Sequence, residues 1–311
     1  MKKLLAILLA LVLALGCLTA LAEEADEENY ETGDATLDDV RNQDDIGDKE
    51  LLVVSFGTSY NDSRRLTIGA IEGDIAQAIP EFAVRRGFTA QIIIDHVERR
   101  DGMHIDNITE ALDRAVANGV KTLVVQPTHL MHGFEYDDVI EELAEYADAF
   151  ENGITVGEPL LTSDEDFDRV GDIMIDLLKD YDDGETALVY MGHGTEHEYN
   201  KVYARMQEVL QAKGAENYYI GTVEAEPSVD DVLAAIEGKG YKRVVLRDMM
   251  VVCGDHANND MAGDEEDSWK SIFTAAGYDV ECVLEGLGQV PEIRQIYVEH
   301  AQAAVEAAEA E

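Results

Sequence analysis

The chain is poor in three things, and each scarcity closes off a class of protein. It holds three cysteines in 311 residues, one of them in an N-terminal apolar run, so it is not a disulfide-stapled scaffold. Cys253 and Cys282 each end an apolar run and read as buried thiols, with a single disulfide between them as the alternative in an exported protein. Positive charge is scarce as well: 23 Lys and Arg stand against 66 Asp and Glu, a formal net charge of -43 at pH 7. Such a surface repels nucleic acid and anionic lipid, and it attracts cations. Phosphate-binding signatures are missing too. No Gly-x-Gly-x-x-Gly follows a strand, and there is no Gly-Lys-Ser/Thr and no Gly-x-Ser-x-Gly, which disfavours a nucleotide-binding domain.

The N-terminus divides into two segments that should add nothing to a core. Met1-Lys2-Lys3, the apolar run Leu4 to Leu15 and the small-x-small site Ala20-Leu21-Ala22 have the layout of a secretory signal peptide over 1–22. The expected location is therefore exported, periplasmic or extracytoplasmic. Leu15-Gly16-Cys17 is a partial lipobox, so a lipoprotein anchored at Cys17 is one alternative and an uncleaved anchor over Leu4 to Ala22 another. Apart from these there is no membrane insertion. Removing Lys2 and Lys3 with the leader moves the charge from -43 to -45. Residues 23–49 carry twelve Asp or Glu against Arg41 and Lys49, with almost no large apolar side chain, which predicts a disordered acidic tether.

From Glu50 onward strand-like and helix-like patterns alternate. Strands are expected at Leu51–Phe56, Ala83–Phe88, Thr122–Val125, Ile154–Val156, Ala187–Tyr190, Tyr218–Val223, Val244–Leu246 (extending toward Val252) and Val280–Val283. A single helix is expected from Ser63 to Ile79, and others follow most of the later strands, ending with a long one from Pro291. This alternation predicts an α/β fold of parallel sheets with helices on both faces, and ligands outside the carboxyl ends of the strands. The two halves are also alike. Val53 to Thr58 aligns with Val189 to Thr195 over a shared Gly-Thr, and Val124 to Glu135 with Val244 to His256. In that register Phe56 takes the place of His193, and Glu135 that of His256. The reading is two Rossmann-like lobes, 50–180 and 181–290, facing a central cleft, with a C-terminal helix over 291–311.

Two histidines stand at expected strand ends, in Met191-Gly192-His193-Gly194-Thr195 and Cys253-Gly254-Asp255-His256. Flanking glycines leave room for a large ligand to approach the backbone. Neutral imidazole serves as a metal ligand or as a base. Cys253-x-x-His256 is one metal-like pair, too little for a zinc-finger site, and Asp255 or Asn258 reads as a helix cap. Glu224 follows its own strand on the same rim, and two imidazoles with one carboxylate suit an accessible divalent transition metal. His129, His132 and Glu135 lie in a stretch rich in histidine and aromatics that suits a flat conjugated ligand. Ser55-Phe56-Gly57-Thr58-Ser59 could receive an anion at a helix start.

These stretches resemble a known family. Leu51 to Tyr60, Met191-Gly192-His193-Gly194, Gly254-Asp255-His256-Ala257-x-Asn259-Asp260-Met261 and Asp267-Ser268-Trp269-Lys270 are similar to the anaerobic cobalt chelatases, the sirohydrochlorin cobaltochelatases of the CbiK type. The resemblance implies a two-lobed chelatase fold and ATP-independent insertion of Co²⁺ into the tetrapyrrole sirohydrochlorin during cobalamin synthesis. It places His193, Glu224 and His256 on the metal, with His193 also as base, and Glu135 with Ser55, Phe56, Gly57 and Thr58 at the tetrapyrrole. Fe²⁺ or Ni²⁺ are alternative metals. Exported variants of the family also bind haem, for which His129 or His132 would be axial ligands, and a homo-oligomer is an admissible assembly. The alternative function is an exported metal- or haem-binding protein of the same fold without turnover. Because the tetrapyrrole carries many carboxylates, a local basic patch from Arg64, Arg65, Arg99 or Arg100 is expected beside it.

Overall fold

The computed structural model describes residues 32–310. The leader-like run 1–22, Cys17 included, and the start of the acidic stretch lie outside them. In Lys49–Ser55 (β1) every residue from Glu50 on is buried, as befits a strand covered on both faces. Around β1 lie Ala83–Phe88 (β2), Thr122–Pro127 (β3) and Ile154–Val156 (β4), in a parallel sheet of order β2-β1-β3-β4. Thr186–Gly192 (β5), Tyr218–Thr222 (β6), Arg243–Asp248 (β7) and Asp279–Val283 (β8) form a second parallel sheet of order β6-β5-β7-β8. Each sheet is thus ordered second-first-third-fourth, the repeat that the sequence halves suggested.

The helices are Asn61–Leu66 (α1), Ile68–Ala78 (α2), Gln91–Asp101 (α3), Ile108–Ala117 (α4), Phe134–Glu145 (α5), Asp164–Leu178 (α6), Lys201–Ala212 (α7), Val229–Ile236 (α8), Trp269–Ala275 (α9) and Pro291–Ala310 (α10). The single helix expected from Ser63 to Ile79 is broken at Thr67, whose φ of -109° and ψ of -81° leave the helical region. The expected extension of β7 to Val252 does not occur. The chain leaves the sheet after Asp248, and the carbonyls of Met250 and Val251 accept the backbone N–H groups of Leu287 and Gly288. Among the described residues no helix is long and apolar enough to cross a membrane.

One hydrophobic core runs through both sheets, joining Leu51, Val53 and Val124 to Leu188, Tyr190 and Val245 by way of α6 and α10. The Tyr190 and Tyr218 hydroxyls donate to the carbonyls of Met174 and Ile175, so α6 is bonded to the second sheet although it precedes β5. The last helix, α10, returns to the first sheet, where the Tyr297 hydroxyl donates to the carbonyls of Thr128 and His129. These exchanged helices fix the two sheets against one another.

The expectation of a disordered tether up to Lys49 is corrected for residues 34–48, because charge pairing replaces the apolar burial this segment lacks. Asp38 accepts hydrogen bonds from Arg64 at 2.6 Å and from Arg86 at 2.7 and 3.0 Å. Arg41 pairs with buried Glu72 at 3.1 Å, and its carbonyl accepts from Arg85 Nε at 2.7 Å. Burial alone would raise the Asp38 pKa, but hydrogen bonds and charge from Arg86 and Arg64 bring it below its ordinary value. The backbone N–H of Arg86 donates to the Arg41 carbonyl, so the segment covers the otherwise open edge of β2.

Candidate metal centre

Three strand ends of the second sheet build the centre. β5 is buried to its last residue and delivers His193 just beyond it. A Cβ on Gly192 would run into the Tyr203 ring. One on Gly194, whose φ is +86°, would lie 2.8 Å from the Ala225 amide. Glycine is thus required on both sides of His193, for space at 192 and for conformation at 194. After β6 the backbone N–H groups of Val223 and Glu224 donate to the carbonyls of Gly192 and His193, at 3.0 and 2.8 Å. That pairing carries Glu224 alongside His193. After β7 the chain reaches the first lobe, where the Cys253 N–H donates to Ser63 Oγ at 3.0 Å, then turns back to present His256.

The imidazoles of His193 and His256 lie 4.7 Å apart, centroid to centroid, with their planes at 81°. His193 Nε2 is 3.8 Å from Glu224 Oε1. One donor atom from each of His193, Glu224 and His256 lies within 4.8 Å of the others, a spacing that a single cation could draw together. Each histidine has its Nδ1 engaged, at 2.7 Å to the Gly194 carbonyl for His193 and at 2.7 Å to Asp260 Oδ2 for His256. These bonds assign the proton to Nδ1 and leave both Nε2 lone pairs for a metal. Both rings are half-buried and Glu224 is exposed, so coordination positions stay open to a second ligand.

The centre stands at the rim of a cleft of about 330 Å³, within the range of small-molecule sites, lined mostly by apolar surface. Ser55, Phe56, Gly57, Thr58, His129 and Glu135 all line it from the first lobe, facing His193 and His256 from the second. Ser55 Oγ and Thr128 Oγ1, 2.7 Å apart, tie the ends of β1 and β3 beneath it. Gly57, at φ +105°, leaves no room for a Cβ against Phe88, and the neighbouring Phe56 projects outward, 47% exposed.

The two histidines suggested as axial ligands differ. His132 is turned to Glu158, with Nε2 2.9 Å from Oε2. His129 has both ring nitrogens shielded from solvent without a hydrogen-bond partner, and burial pushes its pKa down to about 4, so the ring is neutral.

The expected basic patch is corrected, since the cleft is lined by no Lys or Arg among the described residues. Arg64 is fully buried and donates to Asp38, the Thr58 carbonyl and Asn61, so it builds the Ser55–Tyr60 turn instead of meeting solvent. Arg100 likewise serves the Ser59 carbonyl, Asn61 and Asp101, and Arg65 pairs with Asp62. Cys253 and Cys282 are free thiols, not a disulfide. A second group of potential ligands, His104, Asp106 and Glu110, is already committed. Asp106 accepts from Arg114 at 2.7 and 3.0 Å, and Glu110 caps Asn107.

Sequence reasoning missed Tyr203, whose hydroxyl oxygen accepts the Gly194 N–H at 3.2 Å, and nothing in the pattern of α7 marks it. It also passed over Asp260, which the spacing of four from His256 does reveal.

Known proteins resemble this chain in sequence and in fold. Residues 49–306 match the family model described as cobalt chelatase (CbiK). The chain is 37% identical over 252 residues to the sirohydrochlorin cobaltochelatase of Salmonella typhimurium, covering 81% of this chain and 94% of that protein. It is 29% identical over 260 residues to the sirohydrochlorin cobaltochelatase CbiKC of Nitratidesulfovibrio vulgaris, covering 83% and 91%. In fold it resembles SirB from Bacillus subtilis with Fe³⁺, at a TM-score of 0.59 and 13% identity over 85% of this chain and 98% of that one. CbiX, titled the terminal enzyme for biosynthesis of sirohaem in denitrifying bacteria, gives 0.51 and 13% over 82% and 99%. With its two parallel sheets, its cleft and a match spanning most of its length, the chain belongs to the cobalt chelatase (CbiK) family.

Proposed function

We propose that the protein is a sirohydrochlorin cobaltochelatase, inserting Co²⁺ into the tetrapyrrole without ATP, as a step of cobalamin biosynthesis. The observation that carries the reading is the convergence of His193, Glu224 and His256 within 4.8 Å at the rim of a mostly apolar cleft. Two imidazoles and a carboxylate strip water from a divalent cation while leaving positions open for pyrrole nitrogens. The mostly apolar wall, with Phe56 in it, receives the face of the macrocycle, and the Glu135 carboxylate stands in the same lining. Insertion forms bonds from cobalt to the ring nitrogens and releases two pyrrole protons. His193 is the base for a proton when it is not on the metal, because its Nδ1 is held by the Gly194 carbonyl and Nε2 faces Glu224. Fe²⁺ or Ni²⁺ as metal, and haem as macrocycle, are further candidates for this cleft, and His129 is the histidine there with both ring nitrogens uncommitted. Export is inferred from residues 1–22.

The test mixes the protein with sirohydrochlorin and Co²⁺, without ATP, and follows the absorbance of the macrocycle. Many turnovers per protein, abolished in His193→Ala, are expected. Binding that stops at one equivalent would refute the enzyme and leave a carrier of metal or haem.

A further inference from the structure

The turn that carries His256 is built from side-chain bonds spaced four residues apart. Asn258 Nδ2 donates to the Gly254 carbonyl at 2.7 Å, Asn259 Nδ2 to Asp255 Oδ1 at 2.7 Å, and His256 Nδ1 lies 2.7 Å from Asp260 Oδ2. Backbone bonds across the same residues form one π-helical turn, Ala257–Met261. Such wide turns recur at functional sites because they re-aim a side chain. Gly263 closes it, since a Cβ there would collide with the Asn259 carbonyl. Gly254-Asp255-His256-Ala257-Asn258-Asn259-Asp260 thus contains two bonds that hold the turn without the histidine, and a third that acts on the ring alone.

The two histidines of the centre are therefore backed differently. His193 Nδ1 meets a neutral carbonyl, that of Gly194, whose own N–H is held by Tyr203. His256 Nδ1 meets a carboxylate. A carboxylate behind a ligating imidazole fixes the tautomer, restrains ring rotation and makes the opposite nitrogen a stronger donor to a cation.

We infer that Asp260 is a positioning residue which makes His256 the anchoring ligand for the incoming divalent metal. His193, backed only by a carbonyl, is then the ligand that lets go as the cation passes to the macrocycle. The inference rests on the metal-delivery reading above, and it adds an unequal division of labour within the trio.

Direct titration of Co²⁺ into the protein, without macrocycle, tests it. Asp260→Ala should weaken Co²⁺ binding about 10- to 100-fold. Asp260→Asn, which keeps an acceptor for Nδ1–H but loses the charge, should lose less. In turnover the same variants should raise KM for Co²⁺ more than they lower kcat, with binding of metal-free sirohydrochlorin unchanged. A merely structural aspartate would move kcat, macrocycle binding and stability together. Asp260→Ala binding Co²⁺ as wild type does, while His256→Ala loses it, overturns the inference and leaves the reading of the site intact. Should Asp260→Ala not fold, Asp260→Asn at wild-type affinity overturns it equally. If His256→Ala binds Co²⁺ as well as wild type, the metal centre itself is misassigned.

Discussion

Replacing Gly194 by alanine separates the two demands that this position makes. Its φ of +86° costs an L-residue about 1–2 kcal/mol. The new Cβ would also stand 2.8 Å from the Ala225 amide nitrogen and 2.9 Å from Thr222 Cβ. The nearer neighbour is backbone and cannot turn aside, so the overlap adds about 1–3 kcal/mol. Together these predict a loss of about 2–5 kcal/mol, or a fall in Tm of roughly 3–9 °C for a domain of this size. Gly238 supplies the control, with φ +72° and nothing within 4 Å of an added Cβ. Gly238→Ala should cost only the conformational part, about 1–2 kcal/mol. Function should diverge further than stability. The Gly194 carbonyl holds His193, and Ala225 follows Glu224, so relief of the overlap displaces two of the three proposed ligands. A misplacement approaching 1 Å lowers kcat/KM about 100-fold, readable in steady-state cobalt insertion beside calorimetric Tm. Equal Tm losses in the two variants, with turnover untouched in Gly194→Ala, would refute the argument from close approach.

Two further predictions concern groups distant from the centre. Glu50 is fully buried with neither oxygen bonded, and burial, partly offset by Arg85, raises its pKa from 4.5 to about 7. Between those values the native state keeps a proton that the unfolded chain releases, so this stability is complete below about pH 4.5 and lost as pH rises through 7. Glu50→Gln should therefore gain on wild type by about 3 kcal/mol between pH 5 and pH 8 in urea unfolding, and a pH-independent difference would contradict this. Asp38→Ala leaves the buried Arg64 and Arg86 guanidiniums without a shared acceptor, which should cost about 3–5 kcal/mol. An unchanged urea midpoint would mean that residues 34–48 are a solvated tether after all.

The features legible in the sequence were those with a local cause. β1, β3, β5 and β7 are short apolar runs because both of their faces are covered, and glycines in the turns beyond them line the cleft. His193 could be chosen because it follows β5 directly, and Glu224 because it follows the strand beside it. His256 was chosen from an apolar run that leaves the sheet at Asp248, well before the histidine. What could not be read arises from pairs far apart in the chain. Asp38 looked like one more solvated acid until Arg64 and Arg86 were placed around it, 26 and 48 residues away. Arg64 looked like surface charge for the same reason, since spacing says nothing about whether a guanidinium finds its carboxylate inside. The break at Thr67 is backbone geometry that the apolar spacing of residues 66–79 passes over. Tyr203 touches the site through a backbone amide, a bond that any helical tyrosine could make.

The repeat gives the two lobes unlike side chains at matching places. Both lobes end their first strand in a glycine-bearing turn, but the first puts Phe56 where the second puts His193. At the end of the third strand, the first puts Glu135 where the second puts His256. An aromatic side chain 47% exposed offers contact area to a flat ligand and nothing to a cation, whereas the imidazole at the matching place does the reverse. Two copies of one topology thus face each other with unlike chemistry, one wall proposed for a macrocycle and one rim proposed for its metal. The charge of the chain sharpens that division. With a net -43 and no cationic side chain lining the cleft among the described residues, the long-range field draws divalent cations in and opposes an anionic macrocycle. Macrocycle affinity must then come from apolar contact at short range, where Phe56 and its neighbours act. On the proposed reading, electrostatic attraction is left to the metal, for which three potential donors are gathered on one rim.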